Sequence, residues 1–217
     1  MILQVKNLCY RYSKKAPNVL EDITYTFNKN TMYSIIGHSG SGKTTLMSII
    51  AKLDKPTQGS ILYSGSDVKR MNANYYRSRC VSVIFQQYNL LTNYTAIDNV
   101  IMALNIVNYN GDKTKRAIEL LHEVKLPENK LTNIARHLSG GEQQRLAIAR
   151  ALATDAEVIL ADEPTGNLDN INTKNVMDLF NTLKDKYKKC VIVVTHSDAI
   201  VEYADCVINI EQGRLVL

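Results

Sequence analysis

Tryptophan is absent from the 217 residues, phenylalanine occurs three times and proline four times. No apolar run approaches the ~18 residues needed to cross a bilayer, so any membrane work must pass through a partner. The start, Met1-Ile2-Leu3-Gln4-Val5-Lys6, alternates like a strand and lacks the basic head and long apolar stretch of a secretory leader. Cysteine is sparse: Cys9, Cys80, Cys190 and Cys206 lie in or beside apolar runs with no C-x-x-C pair. That pattern favours reduced thiols packed as small hydrophobes over a disulfide framework. Internal repeats, low-complexity tracts and Pro/Gly-rich linkers are also missing, so nothing marks a border between independent domains. The net charge of +5 is too small to argue for nucleic acid, and no nucleic-acid partner is expected. These absences predict a soluble, cytoplasmic protein with one core.

What is present alternates. Strands are expected over Ile2–Leu8, Val19–Phe27, Met32–Ile36, Ser60–Tyr63 and Val81–Phe85, with a helix over Thr44–Leu53. Apolar residues then recur at helical spacing in Ala96–Val107, Lys115–Val124 and Gln143–Ala153. Alternation returns with strand Val158–Ala161, helix Thr173–Tyr187, strand Val191–Thr195, a short helix and strand Cys206–Ile210, before a turn at Gln212-Gly213. Strands joined by helical crossovers imply a parallel sheet covered on both faces. The central run of helices reads as an insertion.

Gly37-His38-Ser39-Gly40-Ser41-Gly42-Lys43-Thr44 matches G-x-x-x-x-G-K-[ST] between a strand and a helix. Glycines let the backbone close around phosphate oxygens, and the N–H groups of a helix start point at the anion. In this pattern Lys43 reaches the β- and γ-phosphates and the Thr44 hydroxyl ligates Mg²⁺. A glycine-rich turn capping an ordinary helix is the plainer alternative. Val158-Ile159-Leu160-Ala161-Asp162-Glu163 is an apolar strand ending in two carboxylates, at the edge where open α/β sheets hold ligands. Asp162 is expected to hold Mg²⁺ through water and Glu163 to polarise an attacking water; solvated surface acids are the alternative. His196 ends another apolar strand and, read alone, is a turn residue.

A second helix start, Leu138-Ser139-Gly140-Gly141-Glu142, offers both a capping box and a second phosphate nest. One nucleotide in one chain rarely needs two γ-phosphate cradles. If the second serves a partner's nucleotide, the chain must dimerise.

Together these residues resemble the nucleotide-binding subunits of ABC transporters, over the full length and in the family's order. The resemblance implies a P-loop NTPase (RecA-like) core with a parallel sheet, an N-terminal antiparallel β subdomain and an inserted α-helical subdomain. The core and β subdomain would take 1–86 and 154–217, and the helical subdomain 87–153. It implies ATP and Mg²⁺ as ligands: Gly37 through Thr45 on the phosphates, Thr44, Gln86 and Asp162 at the metal, and Lys43, Glu163 and His196 in catalysis, with His196 on the γ-phosphate. Phe85-Gln86 matches the glutamine loop, with Gln87 as the neighbouring alternative. Tyr12 resembles the aromatic that stacks on adenine, with Tyr10 as its competitor. Ser139, Gly140, Gly141 and Glu142 would act in trans on the partner's ATP. Asn167-Leu168-Asp169 resembles the loop that links the two sites.

Asp162-Glu163-Pro164-Thr165-Gly166-Asn167-Leu168-Asp169 and Gln86-Gln87-Tyr88-Asn89-Leu90-Leu91 are similar to the subgroup serving macrolide efflux, lipoprotein release, peptide-antibiotic resistance and cell division. The expected partners are a second copy and an integral membrane permease, with the chain peripheral on the inner face of the cell membrane. An ATPase that gates extracytoplasmic enzymes without moving cargo is the main rival. A soluble ABC ATPase acting on DNA or ribosomes is the other, though this chain has neither the long coiled coil nor the paired cassettes usual in such proteins.

Overall fold

The computed structural model describes residues 1–166 and 168–216, with the backbone alone of 198 and 199. Among the described residues the strands form two sheets. In the smaller, β1 (Leu3–Tyr10) lies between β2 (Leu20–Phe27) and β4 (Gln58–Tyr63), and β5 (Ser66–Asp67) extends the far edge, all antiparallel. The larger sheet uses β3 (Thr31–Ile36), β6 (Val81–Ile84), β7 (Val158–Asp162), β8 (Cys190–Val194), β9 (Cys206–Glu211) and β10 (Arg214–Val216), in the order β10-β9-β3-β8-β7-β6. Its five strands from β9 to β6 run parallel, and β10 closes the edge as a hairpin with β9.

Strand periodicity explains why this sheet needs two covers. Along β8, Val191 and Val193 enter one apolar core while Cys190, Ile192 and Val194 enter the other. β7 divides likewise: Ile159 and Ala161 against Val158 and Leu160. Side chains that alternate across a pleat leave both faces apolar, so helices or a second sheet must cover each. One face is covered by α3 (Ala96–Ile106), α4 (Lys113–Glu123), α5 (Gly140–Ala153) and α6 (Asn170–Asp185). The other is covered by α1 (Lys43–Ile50) and the antiparallel sheet, through Leu46, Met47, Leu3, Val5 and Leu8.

Helix ends differ from the sequence expectation for local reasons. The first helix stops at Ile50 rather than Leu53, because Ala51 caps it and Lys52 turns left-handed at φ 55°. α5 begins at Gly140, three residues early, because Ser139 is a complete N-cap and outweighs the poor helix propensity of two glycines. α6 also begins three residues early, at Asn170, capped by Asp169. The chain between β5 and β6 carries α2 (Ala73–Tyr75) followed by a π-helical turn, Tyr76–Cys80, and α7 (Asp198–Val201) precedes β9. All four cysteines are free thiols. No helix among the described residues is long and apolar enough to cross a membrane.

Candidate functional site

β3, β7 and β8 are neighbours in the sheet and release their chains at the same edge. The loop Gly37–Gly42, the acids Asp162 and Glu163, and the pair Thr195-His196 therefore converge, as expected where strand order reverses in an open α/β sheet. Gly37 to Gly40, Gly42, Glu163 and His196 line a cleft there of about 920 Å³.

The loop's shape depends on its glycines at two points. A Cβ on Gly37 (φ 150°) would stand 2.2 Å from the Ile210 carbonyl oxygen, and one on Gly42 (φ 106°) 2.7 Å from Leu20 Cδ2. At Gly37 the obstacle is backbone, and at Gly42 it is the Leu20 side chain together with a positive φ that L side chains rarely adopt. Lys43, the first residue of α1, is buried and donates from Nζ to the carbonyls of Gly37 (2.7 Å) and His38 (3.0 Å). Among the described residues no carboxylate forms an ion pair with it. The hydroxyl of Ser41 is buried beside it with no hydrogen-bond partner. A buried cation without a counter-ion, an orphaned hydroxyl and a helix start in one concavity fit a bound anion.

On the facing strand, the Thr44 hydroxyl donates to Asp162 Oδ1 at 3.5 Å. Burial holds the Asp162 carboxyl above the ordinary aspartate range and the charge of Glu163 adds to this, while the Thr44 bond and the Lys43 ammonium oppose it. Gln86 lines the same cleft, its Nε2 close to Gly166. No cluster of three or more His, Cys, Asp or Glu among the described residues could hold a metal by itself. A few hard oxygens beside an anion cradle suit Mg²⁺, which keeps several ligands from water and phosphate rather than from a protein cage.

The sign of the Asp162 shift yields a test. A carboxylate with a raised pKa favours the folded state below its unfolded pKa, and that advantage is lost as pH rises through the folded value. At neutral pH its ionised form is thus a cost. Asp162→Asn is expected to raise the thermal midpoint of the nucleotide-free chain and to lose Mg²⁺-dependent ATPase activity. In a melting series the rise should shrink as pH falls through the raised folded value and vanish once pH is below the unfolded one.

Glu163 sits in the left-handed region at φ 44°, unusual for a residue of its size and a form of strain common at functional sites. Its amide donates to the Val194 carbonyl (2.9 Å) and its own carbonyl accepts from Gly166 N–H (3.2 Å), so the turn is fixed from both sides. The carboxylate accepts from the Thr195 hydroxyl (Oε2, 3.2 Å) and meets His196 Nδ1 at Oε1 (2.7 Å). Thr195 is fully buried and orients the acid. Its β-branched side chain blends into an apolar strand, and only the adjacent His196 offered a clue to it.

Tyr10 and Tyr12 part company at the end of β1. Tyr10 is buried and bonded to Asp54, which pushes its phenol up to about 12. Tyr12 is 70% exposed, lines the cleft and meets the Thr45 hydroxyl at 3.1 Å. Asn209 and Glu211, on the far rim, were not foreseen as lining residues. Among the described residues that line the cleft, none comes from Ser139–Glu142. Ser139 and Gly140 are instead exposed at the start of α5, where the capping box is present: Glu142 N–H donates to Ser139 Oγ (3.4 Å) and Ser139 N–H to Glu142 Oε2 (2.7 Å). Asn167 lies outside the described residues; Leu168 and Asp169 follow the Glu163 turn directly.

The sequence profile of the ABC transporter family matches residues 20–166. The uncharacterized ABC transporter ATP-binding protein YclH of Bacillus subtilis is 40% identical, covering all of this chain and 96% of its own length. The lipoprotein-releasing system ATP-binding protein LolD of Rickettsia bellii is also 40% identical, over 99% of this chain and 97% of its own. Among solved structures, the dimeric post-hydrolysis state of the ATP-binding cassette MJ0796 bound to ADP and Pi superposes with a TM-score of 0.89 at 33% identity, covering 100% of this chain and 97% of that one. With its phosphate-loop cleft and a matching profile over most of its length, this chain belongs to the ABC transporter family as an ATP-binding, ATP-hydrolysing cassette.

Proposed function

We propose that two copies of this chain close around two ATP molecules, each held by the phosphate loop of one copy and the Ser139–Glu142 helix start of the other. The observation that carries this reading is the separation of the two helix starts: α1 faces the cleft, whereas Ser139 and Gly140 stand exposed and border none of it. The dimeric MJ0796 cassette supports it by likeness. The β- and γ-phosphates would rest on the N–H groups of Gly40–Thr44 and on Lys43, and the base on Tyr12. Thr44, Gln86 and Asp162 would hold Mg²⁺, which when bound neutralises phosphate charge.

Glu163, steadied by Thr195, is placed to take a proton from the attacking water, while the His196 imidazole holds the other carboxylate oxygen. General-base help of this kind is worth about 10²–10⁴-fold. Loss of the γ-phosphate would remove the anion shared by both chains and open the clamp.

The helical segment 87–153 acts as a subdomain that carries the Ser139 helix start and meets a membrane partner. A second cleft, of about 550 Å³, opens between Tyr75-Arg77, Phe85-Tyr88, Ile106 on α3 and Arg150 on α5. Phe85 and Tyr88 flank Gln86-Gln87 in sequence, so an occupant of this cleft would bear on the loop that reaches the ATP site. The occupant is a cytoplasmic helix of an integral membrane permease, and the chain sits on the inner face of the membrane. The likeness to LolD, the ATP-binding protein of a lipoprotein-releasing system, favours the subgroup of macrolide efflux, lipoprotein release, peptide-antibiotic resistance and cell division. Ile106 is 61% exposed, and Ile106→Glu would set a charge in the cleft. Affinity capture of the tagged chain from detergent-solubilised membranes should recover a multi-spanning protein, and Ile106→Glu should lose it. Equal recovery with both would place the partner elsewhere.

A further inference from the structure

Asn172, in the first turn of α6, packs against Gly141 in the first turn of α5. An ideal Cβ on Gly141 would lie 2.6 Å from Asn172 Oδ1 and 2.9 Å from its Cγ. A side chain at Gly141 would therefore have to displace the Asn172 amide, which occupies that space. The other end of the amide is tied down: Asn172 Nδ2 donates to Asp169 Oδ2 at 2.9 Å, and Asn172 N–H to Asp169 Oδ1 at 2.8 Å. An amide beside a carboxylate must present its NH₂ group, so its oxygen faces Gly141. The Asp169 carboxylate, held below the ordinary aspartate range by these bonds, keeps that orientation fixed.

Asp169 in turn continues the chain from Glu163 through tight turns. Gly166 N–H donates to the Glu163 carbonyl (3.2 Å) and Leu168 N–H to the Thr165 carbonyl (3.0 Å), with Thr165 buried. From Gly141 to Glu163 the path runs through packed or hydrogen-bonded groups of a single chain.

We infer that Asn172 is a positioning residue that links the first turn of α5 to the turn carrying Glu163 in the same chain. The inference rests on the composite-site reading above. In the dimer, α5 of one copy closes on the partner's ATP while Glu163 of that copy acts on its own. Seating of the partner's γ-phosphate on Ser139–Glu142 is thereby reported through Gly141 and Asn172 to the Glu163 turn, and the two sites fire together. Asp169 remains the N-cap of α6 when Asn172 is replaced, so the helix keeps its start.

The test compares ATPase rate against ATP concentration for the parent, Asn172→Ala and Asn172→Leu, the last filling similar space without the amide. The parent is expected to show a Hill coefficient above 1, bounded by its two sites. Both variants should fall toward 1 with kcat down by about fivefold or more, the lower end of ordinary site–site coupling, while calorimetric affinity for ADP is kept. A loss of kcat with an unchanged Hill coefficient, a parent coefficient of 1, or parental kinetics in either variant would overturn the link. Gel filtration of Glu163→Gln with Mg-ATP runs alongside. Absence of a dimer there overturns the composite site and this inference with it, whereas a dimer with parental Asn172 kinetics overturns the inference alone.

Discussion

Glu163→Gln is expected to bind ATP as the parent does, to turn over about 10²–10⁴-fold more slowly, and to run in gel filtration with Mg-ATP at twice the monomer mass. The substitution keeps the shape of the side chain. Its carbonyl can still accept from the Thr195 hydroxyl, and the backbone bonds to Val194 and Gly166 do not involve the side chain. What disappears is the proton acceptor and the repulsion felt by Asp162. The phosphate loop and Ser139 are untouched, so the clamp should form and fail to release. Parental turnover would remove Glu163 from the chemistry. A monomer under saturating Mg-ATP would remove the clamp.

Lys43→Ala is expected to weaken nucleotide binding itself. The ammonium is buried, is held by two loop carbonyls and has no carboxylate partner among the described residues. Hydrogen bonds to charged groups are worth about 1.5–3 kcal/mol, which corresponds to roughly 10–150-fold in Kd. Gly42 keeps its left-handed turn and the rest of α1 remains, so the melting temperature should move little. Calorimetry with ATP separates the outcomes: unchanged affinity would mean that the loop does not cradle phosphate.

The parts of this site that could be read from the residues are those where local chemistry decides the structure. Gly37 and Gly42 punctuate a strand and a helix because their positions disfavour a side chain. Asp162 and Glu163 close an apolar strand, and Ser139 with Glu142 spells a capping box that the fold then builds. The resemblance to the family, carried by these motifs, supplied the roles. Other parts depended on tertiary placement. Tyr10 and Tyr12 have the same parity along β1, so alternation could not separate them; the strand ends at Tyr10, which leaves Tyr12 outside. β5 and β10 are two and three residues long and take their order from pairing with β4 and β9. The helical turns over 73–80 rest on an Asn72 cap with little apolar periodicity to announce them. Thr195 and Asn172 were unreadable for a simpler reason. Each is an ordinary residue for its element, and only the partner it faces gives it a task.

The most direct measurement is a structure of the Glu163→Gln chain with Mg-ATP. Ser139 Oγ and the N–H groups of Gly140 and Gly141 from one copy should lie within about 3 Å of the γ-phosphate seated on Lys43 of the other. If every copy instead binds ATP with the Ser139 helix start turned to solvent, the shared-nucleotide account is wrong.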